Sequence, residues 1–240
     1  MIPQRRLVAC GAMARPKLAI PASARVLEVG SGHNPHPQAT VLADRYIEDI
    51  ERAGRLKIDR PLVIAHGGAL PFKDAVFDYV IAIHVAEHME DIGAFFDALA
   101  RVAPAGYIET SSAIGERLFG WRKHRWSLIY HEATLYVRPH DGVRSFGTVF
   151  HELMRRDAHM TALYYRHPDL FRVRCSWQGS VPYQVLGSED PDPVDLDDEA
   201  VVAQLLEQKP APLATLRAFA PRSLKDPLWG WWRNRQAKKG

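Results

Sequence analysis

The chain has 240 residues, with 31 lysines and arginines against 28 acids, a net charge of +3 and 47% hydrophobic residues. That length suits one large domain with or without a small appendage, and so small a charge does not point to a nucleic-acid partner. Cys10 and Cys175 are too few for a disulfide framework and point to a reducing cytoplasm; no run approaches the roughly 18 apolar residues of a membrane span, and Met1–Ala19 lacks a signal-peptide core.

Residues 1–22 are basic and read as a lead-in of loop or short helix. Arg25-Val-Leu-Glu-Val29 is an apolar run followed at once by Gly30-Ser-Gly32, the pattern of a buried parallel strand feeding a tight turn. A second short strand, near Val41–Ala43, ends in Asp44. The connection before it carries Pro35, His36 and Pro37 and leaves little room for a helix. Tyr46–Gly54 reads as a helix closed by its glycine, Leu62–Ala65 as strand three and Tyr79–Ile83 as strand four. These strands are nearly continuous apolar runs, as expected where helices cover both sheet faces. Asp91–Val102 is an amphipathic helix with Ile92, Phe95, Phe96 and Leu99 on one stripe, and Tyr107–Glu109 is strand five. The alternation predicts a doubly wound, mostly parallel Rossmann-like α/β sheet.

The second half reads differently. Trp126–Tyr130 and Thr134–Arg138 predict a hairpin around His131-Glu132-Ala133, and Phe146–Met160 one helix. Phe171–Trp177 and Val181–Val185, split by Gln178-Gly179-Ser180, predict an antiparallel hairpin. Ser188–Glu199 is an acidic loop, Val201–Gln208 a short helix, and Pro221–Gly240 a basic tail holding three of the six tryptophans.

The ordered set Val-Leu-Glu-Val-Gly-Ser-Gly, Val41-Leu-Ala-Asp44, Ala69-Leu-Pro-Phe72, Phe77–His84 and Val85-Ala-Glu-His88 resembles the class I S-adenosylmethionine-dependent methyltransferases of the type 11 group, over residues 22–112. The resemblance implies that the late hairpin is strands six and seven of the sheet, and that 113–160 is an acceptor-recognition insertion after strand five. The implied division is a lead-in at 1–22, a methyltransferase domain at 23–187 and an appendage at 188–240. S-adenosylmethionine is the implied cofactor. Gly30 and Gly32 would let the backbone approach it, Glu28 would lie near its methionine amino group, and Asp44 would accept both ribose hydroxyls. Where the family often has an acid for the adenine amino group this chain has His66, followed by Gly67; a ring nitrogen of His66 or the Gly67 backbone would take that bond. Asn34 stands at a family glycine and tolerates a left-handed backbone. Pro35 holds the third-glycine position of a dinucleotide fingerprint and argues against an oxidoreductase.

A hydroxyl acceptor needs its proton removed, and His84, directly after strand four, falls at the carboxyl edge of the sheet. It is the first candidate for the base or for positioning the acceptor, and also lines the cofactor's place; His124 is the alternative base. His84-Val-Ala-Glu-His88 also spells a zinc-peptidase pattern. Its place after a buried strand assigns Glu87 and His88 to structure, and no metal site is expected. Trp121, His124, Arg125 and Trp126 interleave aromatics with cations, a composition suited to sugars or anionic groups, and are the expected acceptor contacts. The C-terminal Leu228–Arg235 places tryptophan beside arginine, so peripheral membrane contact is one role for it, and docking on the domain another. The resulting expectation is a cytoplasmic O-methyltransferase of a saccharide or other polar small molecule. Methylation of a small aromatic or polyketide-like metabolite is the alternative, and a non-catalytic cofactor-binding or scaffold protein the alternative outside enzymes.

Overall fold

A computed structural model describes residues 15–48, 55–140, 146–195 and 198–206. The central strands are β1 (Val26–Val29), β2 (Val41–Asp44), β3 (Leu62–Ile64), β4 (Tyr79–Ile83), β5 (Ala105–Ser111) and β8 (Arg172–Gln178), in the order β3-β2-β1-β4-β5-β8. All pair in parallel except β8, which runs antiparallel to β5. This is the expected mostly parallel, Rossmann-like α/β sheet. The connection between β1 and β2 holds no helix, in keeping with its two prolines.

Strand alternation divides the side chains between two faces. Leu27, Val29, Val80, Ala82 and Ile108 share one core with Ile92, Phe95, Phe96 and Leu99 of α1 (Ile92–Val102). Asp91 caps that helix by accepting the Ala94 amide at 2.9 Å. Each of these large side chains contributes about 1.5–3 kcal/mol by leaving water. The opposite face, Val26, Ile81, Ile83 and Tyr107, packs against Leu18, Ile20 and Ala24. Among the described residues the lead-in, not a helix, covers that face. Residues 46–48 are not helical, and the rest of the helix expected over Tyr46–Gly54 lies outside the described residues.

The chain between β5 and β8 contains α2 (Ala113–Phe119), the hairpin β6 (Trp126–His131) and β7 (Thr134–Pro139), then α3 (Gly147–Arg156), α4 (Ala158–Arg166) and α5 (Pro168–Phe171). The hairpin forms as expected, turning through Glu132 and Ala133 at φ 46° and 60°, the two left-handed residues a tight hairpin turn demands. The single helix expected over Phe146–Met160 is instead two. Asp157 adopts extended backbone and accepts the His159 amide at 2.7 Å, so it caps a new helix.

The late hairpin does not form. Val181-Pro182 follows the Gly179 turn, and proline has no amide to continue a ladder with β8. The Pro182 carbonyl accepts the Leu135 amide at 2.8 Å instead, and β9 (Tyr183–Val185) joins β7 in parallel, making a second sheet β6-β7-β9. The acidic stretch is tied down at Asp192, which pairs with Arg117 at 2.7 Å and Arg138 at 3.3 Å. It leads to α6 (Glu199–Leu206). The Trp-rich tail lies outside the described residues, among which no helix is long and apolar enough to cross a membrane.

Candidate active site

A cleft of about 750 Å³ opens at the carboxyl ends of the central strands. One wall is the turn after β1. Gly30 sits at φ +69°, and a Cβ there would lie 2.3 Å from Cγ2 of Val85, so this turn is packed directly against the residues following β4. Gly32, at φ 56°, donates its amide to Asp44 Oδ2 at 3.1 Å. Asp44 Oδ1 accepts the Tyr46 amide at 3.1 Å. The carboxylate at the tip of β2 is thus buried, oriented by two backbone amides, and on the cleft wall. Each oxygen of a carboxylate can accept from more than one donor.

Glu28 departs from expectation. It is fully buried and is not among the cleft-lining residues. Strand parity turns it toward the lead-in face, where one oxygen accepts the His36 amide at 2.6 Å and the other lies 3.2 Å from the Arg15 guanidinium. Burial pushes its carboxyl up to about 7, against the pull of Arg15 and the His36 amide. Arg15 itself lines the cleft and donates through Nε to the Asn34 carbonyl at 2.6 Å. Sequence reasoning missed Arg15, since one arginine in a basic lead-in has no spacing to mark it.

His66 and Gly67 line the cleft beyond Asp44. His66 Nδ1 accepts the Gly68 amide at 3.2 Å, so in the neutral ring the proton sits on Nε2 and that nitrogen donates. His66 is therefore not set up to accept a bond from an amino group. A Cβ on Gly67 would meet the Phe95 ring at 2.9 Å, so packing requires this glycine independently of any ligand.

His84 lines the cleft with a left-handed backbone, φ 57°, its amide bonded to the Glu109 carbonyl at 2.8 Å. Its Nδ1 lies 3.0 Å from Glu87 Oε1, and its Nε2 has no hydrogen-bond partner among the described residues, Glu109 Oε1 being 3.9 Å away. Glu87 and Glu109 are both buried carboxylates. Burial raises each, but His84 with His124 and His88 outweighs it at Glu87, and Arg172 with His84 and Tyr107 outweighs it at Glu109. Both carboxyls are held below the usual range. The imidazole of His84 therefore faces ionised groups on two sides. The helical pairing of His84 with His88 does not occur: only Ala86–His88 form a short 3-10 turn, and His84 precedes it in a left-handed conformation.

The opposite wall is Arg122, Lys123, His124 and Arg125. Backbone bonds pin this loop: the Arg125 amide donates to the Glu87 carbonyl at 2.7 Å, and its carbonyl accepts the His140 amide at 2.7 Å. His124 Nδ1 lies 2.5 Å from Glu116 Oε1. Burial opposes protonation of His124, but the Glu116 bond and the Glu87 charge raise its pKa. Trp121 and Trp126 are not among the cleft-lining residues, contrary to expectation. Trp126 donates Nε1–H to the Met89 carbonyl at 2.7 Å and packs on the core. Trp121 lies against His124 and His151, with ring centroids 5.8 and 4.6 Å away. Among the described residues the group able to hold a metal ion is Glu87, His88 and His124.

Residues 22–108 match the family model described as a methyltransferase domain, type 11. The matched stretch runs from just before β1 into β5. Similar solved structures include the YcgJ protein of Bacillus subtilis, 22% identical over 38% of this chain and 45% of that one, with a TM-score of 0.32. A SAM-dependent methyltransferase of Thermotoga maritima is 17% identical over 40% and 46%, with a TM-score of 0.31. The PH0226 protein of Pyrococcus horikoshii OT3 is 18% identical over 55% and 70%, with a TM-score of 0.33. The chain thus spans less than half the length of the first of these. No curated protein matches the sequence.

Proposed function

We propose that the protein is an S-adenosylmethionine-dependent O-methyltransferase acting on a hydroxyl of an anionic saccharide or related polar metabolite. The observation that carries this reading is the oriented Asp44 carboxylate beside the Gly30–Gly32 turn, on one wall of a cleft within the matched domain. The cleft is of a size that buries a drug-sized ligand. Its donors and acceptors suit the cofactor piece by piece. Asp44 accepts from the ribose hydroxyls. His66 Nε2–H donates to an adenine ring nitrogen, a different bond from an acid's. Arg15, rather than Glu28, meets the amino-acid end and pairs with its carboxylate. The cofactor supplies an electrophilic methyl group whose bonding pair leaves with sulfur.

The protein's part is orientation and proton removal. Glu87 accepts a hydrogen bond from the Nδ1–H of His84, which leaves the Nε2 lone pair to take the acceptor's hydroxyl proton, and Glu109 sits close enough to favour the resulting imidazolium. The basic wall Arg122–Arg125 favours an acceptor that carries phosphate or carboxylate. We place the enzyme in the cytoplasm, where the buried thiol of Cys175 stays reduced. A turnover assay with labelled cofactor, offered nucleotide sugars, acidic oligosaccharides and phenols, tests this. Methyl transfer to an anionic sugar supports it. Transfer to phenols alone, or no transfer despite cofactor binding, overturns it.

A further inference from the structure

The short turn Ala86–His88 and the loop before β6 bring together side chains that the reading above leaves largely unused. Glu87, His88 and His124 each present one ligand atom, and the three atoms lie within 4.8 Å of one another. Donors bound tetrahedrally to one divalent ion at about 2.1 Å stand roughly 3.4 Å apart, so atoms as much as 4.8 Å apart would close by up to about 0.7 Å each.

Three observations point to an ion. Glu87 is fully buried, and while its Oε1 is engaged by His84, its Oε2 has no hydrogen-bond partner among the described residues. A buried, ionised oxygen without a donor is costly unless a cation satisfies it. His124 Nδ1 is held at 2.5 Å by Glu116, a buried carboxylate whose other oxygen lies 3.2 Å from His140 Nε2. That contact keeps the proton on Nδ1 in the neutral ring and leaves Nε2 as the lone-pair nitrogen. His88 Nδ1 lies 3.3 Å from the Lys123 carbonyl, which accepts only from an N–H, so the same argument assigns its lone pair to Nε2. A carboxylate or carbonyl behind each imidazole is the usual support of a metal-bound histidine. The two rings are perpendicular, with centroids 4.6 Å apart.

We propose that Glu87 Oε2 and the Nε2 atoms of His88 and His124 bind a divalent first-row transition ion of the zinc class. Two imidazoles and one carboxylate suit Zn²⁺ or Co²⁺ better than Mg²⁺, which prefers oxygen donors and water. Three protein ligands leave a position for an oxygen from outside. His88 and His124 line the cleft beside His84, so that oxygen is the acceptor's. A bound ion would hold it and ease loss of its proton to His84. The ion site stands on its own; its use on an acceptor rests on the methyltransferase reading. The competing account has Glu87 simply balancing protonated histidines, with no ion.

The test is a titration of the full-length protein with Co²⁺ followed by visible absorption, beside calorimetry of S-adenosylhomocysteine on the same preparation. The expected result is a saturable band at one cobalt per chain, abolished by equimolar Zn²⁺ and unaffected by a large excess of Mg²⁺. His88→Ala, at a half-buried position, and Glu116→Gln, behind His124, should each weaken cobalt binding by at least about 10-fold with homocysteine-ligand binding unchanged. No saturable band, or a band of equal affinity in both variants, overturns the site. Cobalt binding without S-adenosylhomocysteine binding upholds the ion site and sinks the methyltransferase reading, so the two failures are distinct.

Discussion

His84 Nδ1 and Glu87 Oε1 stand 3.0 Å apart, three residues from each other, with Glu87 buried and His84 on the cleft wall. A carboxylate behind an imidazole fixes which nitrogen carries the proton, and here it leaves the lone pair on Nε2. His84→Asn tests this cleanly, because asparagine tolerates the left-handed backbone at φ 57° and its amide donates to Glu87. We expect turnover to fall by about 100- to 10,000-fold with cofactor affinity nearly unchanged. The pH–rate profile of the unmodified protein should show one ionisation whose loss of a proton raises the rate. Full activity in the variant would move the base elsewhere.

Glu28 makes stability depend on pH. Folded, its carboxyl ionises at about 7 rather than at 4.5. Between those values the native state holds a proton the unfolded chain has released, so this group's contribution is full below 4.5 and is lost as pH rises through 7. The loss amounts to about 3 kcal/mol. Glu28→Gln keeps an acceptor for the His36 amide and removes the titration. The stability difference between the two proteins, measured by urea unfolding, should therefore drift in favour of the variant across that window. A difference that is flat with pH contradicts the buried, proton-holding Glu28.

Gly30→Ala should cost at least about 2 kcal/mol, from the left-handed backbone and the overlap with Val85. Val85→Ala in the same chain should recover part of that loss, since the two side chains would compete for one space. Thermal unfolding of the three variants reads this. Additive losses would show that the turn and Val85 are not in contact.

The basic wall and its tryptophan neighbour separate by readout. Arg125→Ala should raise the apparent acceptor constant by roughly 10-fold, the scale of one charge-assisted contact, and leave the melting temperature close to that of the unmodified protein. Trp121→Ala should do the reverse, because its ring packs on Phe119, His124 and His151. Equal effects on acceptor affinity would return Trp121 to the pocket.

The half of the fold that carries the site was readable because its signals are local. Continuous apolar strands, Gly30 and Gly32 in the turn, and Asp44 at a strand tip each act within a few residues. Asp91 announced its helix in the same way. Pattern and structure part where a single residue overrides a longer run: Asp157 caps a new helix inside an otherwise periodic stretch, and Pro182 breaks a hairpin that alternation favours. The place of Glu28 in its apolar run is plain from the sequence, but the face it points to is not. The partners that define the chemistry, Arg15 on Glu28, Glu116 on His124 and Glu87 between three histidines, are long-range or involve a left-handed residue. No spacing rule in one sequence marks them.

Whether Asp44 and the Gly30–Gly32 turn seat S-adenosylmethionine is read by calorimetric titration with S-adenosylhomocysteine. Saturable binding at one ligand per chain is expected, with a rise in melting temperature as ligand concentration increases. Asp44→Ala, if folded by circular dichroism, should lose about 2–4 kcal/mol of binding through two charge-assisted bonds to ribose. Absence of binding to the unmodified protein at millimolar ligand, or undiminished binding to Asp44→Ala, would contradict this seat.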